Sequence, residues 1–273
     1  MIKLIAFDLD ETLFNDNHKI DSKNYEYIQK AKDLGVHMIP AFGRGPGFVG
    51  DLYNELNLKD DNCYSILANG ATVVKNGSED AITSHEVSKA YAKKLFDYGK
   101  EKNLCIHVYT DDGIFIYNLF DKEREFTDNY KENLIEVEEY DFSKIEDKKI
   151  LKIIYCDFDT DYLKSLEKEV AQLTDYKIEI SYSSNRYMEL NKIGISKATG
   201  LIDLCKYLDI DIEDTIAIGD NFNDLKMIDK AGIGIAVRNA LDEIKDVADY
   251  ITQSNNNENA VAEVIEKFVL EEV

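Results

Sequence analysis

Asp8 and Asp10 close a short apolar run, Lys3 to Phe7, in the segment Phe7-Asp8-Leu9-Asp10-Glu11-Thr12-Leu13. Two carboxylates one residue apart at the carboxyl end of a strand can divide a task. One serves as nucleophile and metal ligand, the other as acid and base. Taken alone, the pair is equally a solvated acidic turn. Asp220, Asn223 and Asp224 follow another apolar strand, in Gly219-Asp220-Asn221-Phe222-Asn223-Asp224. Oxygen ligands arriving from two strand ends suit Mg²⁺, which keeps several waters and leaves room for a phosphate oxygen. By itself this segment can also be a helix cap, with acids favoured by the dipole.

Lys197 follows Ser196, a plausible N-cap, and opens a helix whose apolar face is Leu201, Leu204, Cys205 and Leu208. A lysine in the first helical turn opposes the macrodipole at up to about 1 kcal/mol. That local cost hints at an anion to be held; a solvated lysine is the alternative. Gly43 and Arg44 end a second apolar strand, and the backbone N–H groups of such a turn can cradle phosphate.

The elements that must position these residues alternate in type. Strands are expected at Lys3 to Phe7, Val36 to Ala41 and Tyr64 to Ala68, with a helix at Ser22 to Leu34 using Tyr25, Ile28, Ala31 and Lys32, and a second helix running to Leu58. Asn69-Gly70 begins a hairpin that includes Ala71 to Val74. The rhythm returns late in the chain: helix 197–208, strand 215–218, helix 222–230, strand 233–236 and a last helix over 258–269. Strands alternating with helices imply a parallel, doubly wound sheet. Between about 84 and 186 the order changes to helix, hairpin, charged helix (122–132), strand, helix and strand, as for a second α/β domain inserted into the first. The core is then 1–83 and 187–273, and the insert 84–186.

The chain has 273 residues, 44% of them hydrophobic and 32% charged, which is ample for packed cores. Its formal net charge of −22 excludes nucleic acid and anionic membranes as partners, since both need a basic face. A phosphate site on such a protein must be made locally positive by a metal, a few cations and helix N-termini. Cys63, Cys105, Cys156 and Cys205 lie dozens of residues apart without a CxxC pair, so they read as buried free thiols of a reducing compartment, neither disulfides nor zinc ligands. No apolar run approaches the ~20 residues that span a bilayer. The expected location is the cytoplasm. The 17 tyrosines read as packing residues.

DxDxT at the N-terminus, Gly-Arg after the second strand, a lysine opening a helix and GDxxND after the next strand together resemble the haloacid dehalogenase superfamily. The likeness is greatest to its Cof-type sugar-phosphatase branch, with Asn69-Gly70-Ala71, Gly194-Ile195-Ser196-Lys197 and Ala236-Val237-Arg238-Asn239-Ala240 in support. The resemblance implies a doubly wound, mostly parallel Rossmann-like α/β core with an inserted α/β cap. It implies an Mg²⁺-dependent phosphatase of small-molecule phosphate monoesters. Asp8 would form an aspartyl-phosphate, while Asp10 would protonate the leaving alcohol and then activate water. Asp8, the Asp10 backbone carbonyl and Asp220 would hold the metal. Lys197, Asn223, Leu9, Phe42 and Gly43 would bind the phosphoryl group, with Thr12, Arg44 and Asp224 in support. The cap would close over the leaving group and set specificity, with Thr110-Asp111-Asp112 and Ser184-Asn185-Arg186 as candidate contacts.

Three positions depart from the family pattern. Phe42 stands where a Ser or Thr hydroxyl normally donates to phosphate; losing such a donor costs on the order of 10²–10³ in rate where it is fully used. The backbone N–H groups of Phe42 and Gly43 are then expected to serve instead, giving a slower phosphatase. Glu11 and Ala260 replace frequent glycines. The alternatives are a phosphomutase of the same family, or a phosphate-binding regulatory protein weakened by Phe42. Neither the natural substrate nor the oligomeric state is legible.

Overall fold

Apolar runs of four or five residues are long enough for a buried strand and too short for a helix, and the first unit of this protein is built on them. A computed structural model describes residues 1–45, 52–60, 62–78, 81–127 and 134–271. The chain forms two compact units, Met1–Gly43 with Asp51–Thr83 and Ser196–Val273, and Arg44–Gly50 with Ser84–Ile195.

The first unit begins with β1 (Leu4–Phe7), α1 (Ser22–Asp33), β2 (His37–Pro40), α2 (Leu52–Glu55), β3 (Tyr64–Leu67) and β4 (Thr72–Lys75), and β5 (Ala81–Ser84) leads out of it. All four β1 residues are buried. The face of α1 differs from the expected one. Asn24, Ile28 and Ala31 point inward while Tyr25 is exposed, because the Asn24 Oδ1 accepts the Ala262 amide at 2.9 Å. The helix expected up to Leu58 is only the turn α2 among the described residues, ended by Asn57 at φ +51°; residues 46–51 of that expectation lie outside them. A 3₁₀ turn, Ala68–Gly70, joins antiparallel β3 and β4 as the expected hairpin.

The second unit contains α3 (Lys89–Glu101), β6 (Cys105–Thr110), β7 (Ile114–Tyr117), α4 (Asp121–Thr127), β8 (Leu134–Val137), β9 (Ile150–Cys156), α5 (Thr160–Leu173), β10 (Ile178–Ser183) and β11 (Tyr187–Lys192). Its six strands run β10-β11-β9-β6-β7-β8, antiparallel except for β7 with β8. Leu95, Phe96, Ile106, Tyr117, Tyr155 and Leu163 lie in its main core. The expected boundary at 186 falls short of the structural one. Residues 187–195 belong to this unit because β11 pairs with both β10 and β9. The expected helix 122–132 is α4 over its first part, and residues 128–132 of that expectation lie outside the described residues.

The chain returns to the first unit with α6 (Lys197–Leu208), β12 (Thr215–Gly219), α7 (Phe222–Lys230), β13 (Ile233–Ala236), α8 (Asp242–Lys245), β14 (Tyr250–Ile251) and α9 (Ala260–Ile265), which continues in a wider turn to Leu270. The sheet order is β14-β13-β12-β1-β2, all parallel. A bridge from Ala41 to Ile66 brings β3 alongside β2. Order runs outward from β1 in both directions, so the carboxyl ends of β1 and β12 flank the switch point where doubly wound sheets bind ligands. No helix among the described residues is long and apolar enough to cross a membrane.

Candidate active site

Asp8 stands one residue past β1, and its amide donates to the Ile218 carbonyl of β12 at 3.0 Å. The side chain is therefore fixed between two strand ends, 7% exposed. Asp220 follows β12 directly and is equally buried. The Thr12 Oγ1 donates to Asp220 Oδ1 at 2.8 Å, tying the first loop to the second.

Lys197 reaches the same place from α6. Ser196 and Thr199 form a reciprocal capping box that starts this helix and aims its first residue inward. The Lys197 ammonium, fully buried, donates to Asp8 Oδ1 and to Asp224 Oδ1, the latter at 2.6 Å. The other Asp224 oxygen accepts the amides of Asp220 and Asn221 at 3.1 and 3.3 Å. Asp224 is thus a bracket, both of its oxygens occupied by the lysine and the loop it steadies.

Two glycines make this closeness possible. A Cβ on Gly219 would stand 2.6 Å from Asp224 Oδ2 and closer still to its carbons. Gly70, at φ +87°, lies so near the start of α6 that a Cβ would overlap the Ser196 carbonyl and sit 3.1 Å from the Lys197 amide. Asn69-Gly70 thereby seats the helix that carries the lysine, a role invisible in the sequence spacing.

Oxygens of Asp8, Asp220 and Asp224 lie within 4.8 Å of one another. Burial pushes the Asp8 carboxyl well up; Lys197 opposes this, and Asp224, Asp220 and Asp10 add to it. Burial, then the Asp224 charge, raises Asp220 to about 7. For Lys197 burial acts downward, but Asp224 and Asp8 more than reverse it and hold the ammonium raised. Carboxylates crowded in this way gain from a divalent cation. With Asp224 occupied, Asp8 and Asp220 are the pair whose remaining oxygens fit one, and an all-oxygen set suits a hard ion such as Mg²⁺.

The other expected residues fall less uniformly. Asp10 is exposed, its Oδ1 4.0 Å from His18 Nδ1, so its side chain does not join the buried cluster. Leu9 is buried, and its carbonyl accepts the amides of Leu13 and Phe14 at 3.0 and 2.8 Å, shaping the loop. Glu11 holds φ +59° there, the left-handed region that explains why glycine suits this position, and Asn239 Nδ2 donates to its carbonyl at 2.7 Å. Asn223 lies half-buried in the first turn of α7. Gly43 ends a segment of the first unit, and Arg44 belongs to the second.

Phe42 corrects an expectation. Its amide, expected to serve a phosphate, already donates to the Ile66 carbonyl at 3.0 Å, and its carbonyl accepts the Asn69 amide at 3.2 Å. The ring is 2% exposed. β2 continues into a β3 ladder, which takes the group a turn would have left open. The candidate specificity turns have local partners too. Thr110 Oγ1 donates to Asp112 Oδ1 at 2.8 Å, and Arg186 Nε donates to Glu123 Oε2 at 3.0 Å.

This geometry can be compared with known proteins. The haloacid dehalogenase-like hydrolase profile matches residues 5–265, nearly the whole chain. The protein belongs to the haloacid dehalogenase-like hydrolase family. A relative in that family, the 5-amino-6-(5-phospho-D-ribitylamino)uracil phosphatase YcsE of Bacillus subtilis, is 31% identical over 98% of this chain and 96% of its own. A solved haloacid dehalogenase-like hydrolase from Bacteroides thetaiotaomicron superposes with a TM-score of 0.86 at 30% identity, covering 98% and 99% of the two chains. The subclass IIB sugar phosphatase BT4131 shares the fold, with a TM-score of 0.84 at 22% identity over 97% and 98%. The Rossmann-like core and the enzyme class expected from the motifs both stand: this haloacid dehalogenase-like protein is a phosphatase.

Proposed function

We propose that the protein hydrolyses small-molecule phosphate monoesters, of the sugar or polyol class, with Mg²⁺ and an aspartyl-phosphate on Asp8. One observation carries this reading. A fully buried lysine is held between Asp8 and Asp224, with Asp220 beside them, at the carboxyl ends of β1 and β12.

An Mg²⁺ held by Asp8, Asp220 and the Asp10 backbone carbonyl would supply positive charge opposite the equatorial phosphoryl oxygens. Asp8 attacks phosphorus, the bond to the leaving oxygen breaks, and Asp10 gives that oxygen its proton. Exposure suits Asp10 to this part, since it must meet the leaving group and then take a proton from the attacking water. Lys197 opposes the pull of burial on the Asp8 carboxyl and neutralises the transferring group. Asp224 holds Lys197 in register and Thr12 orients Asp220, while Asn223 and the loop amides at Leu9 and Gly43 would bind phosphate oxygens.

The substrate class rests on the relatives, one acting on a phosphorylated ribityl compound and another named as a sugar phosphatase. Four buried free thiols and the absence of a membrane-length apolar helix among the described residues support a cytoplasmic setting. The test is phosphate release from a panel of sugar, polyol and nucleotide monoesters with Mg²⁺, comparing wild type with Asp8→Asn. The wild type should turn over polyol or sugar phosphates and trap label on Asp8 after acid quench. An Asp8→Asn variant that keeps the wild-type rate would refute the proposal.

A further inference from the structure

The second unit holds a cluster that the phosphatase chemistry does not use. His107, Glu123 and Cys156, all buried, offer ligand atoms within 4.8 Å of one another. Cys105 faces Cys156 directly across antiparallel β6 and β9 and lies outside that set of three. His107 lies two residues on from Cys105, so it shares that face of the sheet. Glu123 comes from α4, which supplies the third donor from a different element.

Two features separate this cluster from ordinary packing. His107 Nε2 is buried without a hydrogen-bond partner, because Glu123 Oε1 is 3.7 Å away, beyond hydrogen-bond reach. A buried acceptor or donor left unsatisfied costs about 1–3 kcal/mol. Glu123, fully buried, is oriented from behind by Arg186 Nε at 3.0 Å and by the Tyr187 hydroxyl. An anchored carboxylate and an idle imidazole nitrogen converging on the Cys156 thiol form the ligand set of a borderline-soft ion, with its supporting contacts in place.

We propose that this cluster binds one Zn²⁺ ion through Cys156 Sγ, His107 Nε2 and a Glu123 carboxylate oxygen, with a water in the fourth position. The ion would tie α4 to β6 and β9, displacing the Cys156 thiol proton as it binds. Mixed sulfur, nitrogen and oxygen donors favour Zn²⁺ over Mg²⁺, which takes oxygen ligands, so the two metals would sort between the two clusters. A regulatory disulfide between the thiols is the less fitting use. It uses neither the unpartnered His107 nitrogen nor the Glu123 carboxylate beside it, and both sulfurs are shielded from oxidants at 1% exposure.

The experiment is a titration of chelator-treated full-length protein with Co²⁺ as a spectroscopic stand-in, followed by Zn²⁺ displacement and metal analysis. One equivalent should give a thiolate-to-cobalt charge-transfer band and intense visible bands of a tetrahedral site, both lost when Zn²⁺ is added. Cys156→Ser and His107→Gln should each weaken binding roughly tenfold or more. Asp8→Asn should leave the band intact, separating this site from the phosphatase site. The wild-type spectrum needs no variant to fold. Absence of the charge-transfer band at excess Co²⁺, or an equal band in Cys156→Ser, would overturn the assignment. So would ready formation of a Cys105–Cys156 disulfide under mild peroxide in the presence of Zn²⁺.

Discussion

Lys197 Nζ and Asp224 Oδ1 are 2.6 Å apart with neither side chain touching solvent. The partner that fixes the lysine also holds the amides of Asp220 and Asn221, so one carboxylate sets the positions of an ammonium and of the loop that carries Asp220.

Replacing Asp224 with Asn keeps the shape and removes the charge. Breaking a buried pair costs about 3–5 kcal/mol when nothing else compensates. Asp8 still faces the ammonium here, so a loss near the lower end, about 3 kcal/mol, is expected in urea denaturation with chelator present. Phosphate release should fall with it. A variant equal to wild type in both midpoint and rate would show that Asp224 positions nothing.

Gly70→Ala should damage activity by moving α6. The substituent meets the Ser196 carbonyl, and φ +87° is itself unfavourable for alanine. Gly35, at φ +85° with open space around it, is the internal control. Gly35→Ala should cost only the backbone penalty, about 1 kcal/mol. Gly70→Ala should cost clearly more and also lower kcat. Equal losses for the two variants would remove the packing argument.

Phe42→Thr should separate two effects. Removing a fully buried ring leaves a cavity worth about 3 kcal/mol or more, so Tm should drop. The new hydroxyl restores the donor common in the family, and kcat measured well below the new Tm should rise. An unchanged or lower kcat would mean that the hydroxyl is not what limits this enzyme.

The acid cluster predicts how pH and metal interact. Asp8 and Asp220 both have carboxyls raised by burial, Asp220 to about 7. A group that binds its proton more tightly when folded contributes stability below its unfolded value, near pH 4. That contribution is lost as pH rises through the folded value. Metal-free protein should therefore lose Tm between about pH 5 and pH 8 through this site. Mg²⁺ needs the deprotonated carboxylates, so the Tm gain on adding it should be larger near pH 8 than near pH 5. Differential scanning fluorimetry with and without Mg²⁺ measures this, and a gain that grows on acidification would contradict it.

Chemistry and order were legible in the residues themselves. Short apolar runs ending in acids fixed β1 and β12, and period-3.6 patterning placed α6 and α7 at their observed bounds. Edges and pairings were not legible. β5, β8, β11 and β14 escaped because their alternation is weak, and partner strands, not local pattern, make them strands. The Phe42 amide looked available because nothing local marks it as bonded to Ile66, twenty-four positions on.

The cysteines mark the same divide most sharply. By itself the sequence determined that this chain carries Asp8, Asp10, Lys197 and Asp220 in an order that resembles the haloacid dehalogenase family, since residue type and strand-end position are local properties. Spacing alone gave Cys105 and Cys156 no reason to meet. Only the antiparallel pairing of β6 with β9 set them face to face beside His107 and Glu123, because register and helix docking depend on which surfaces the whole chain buries.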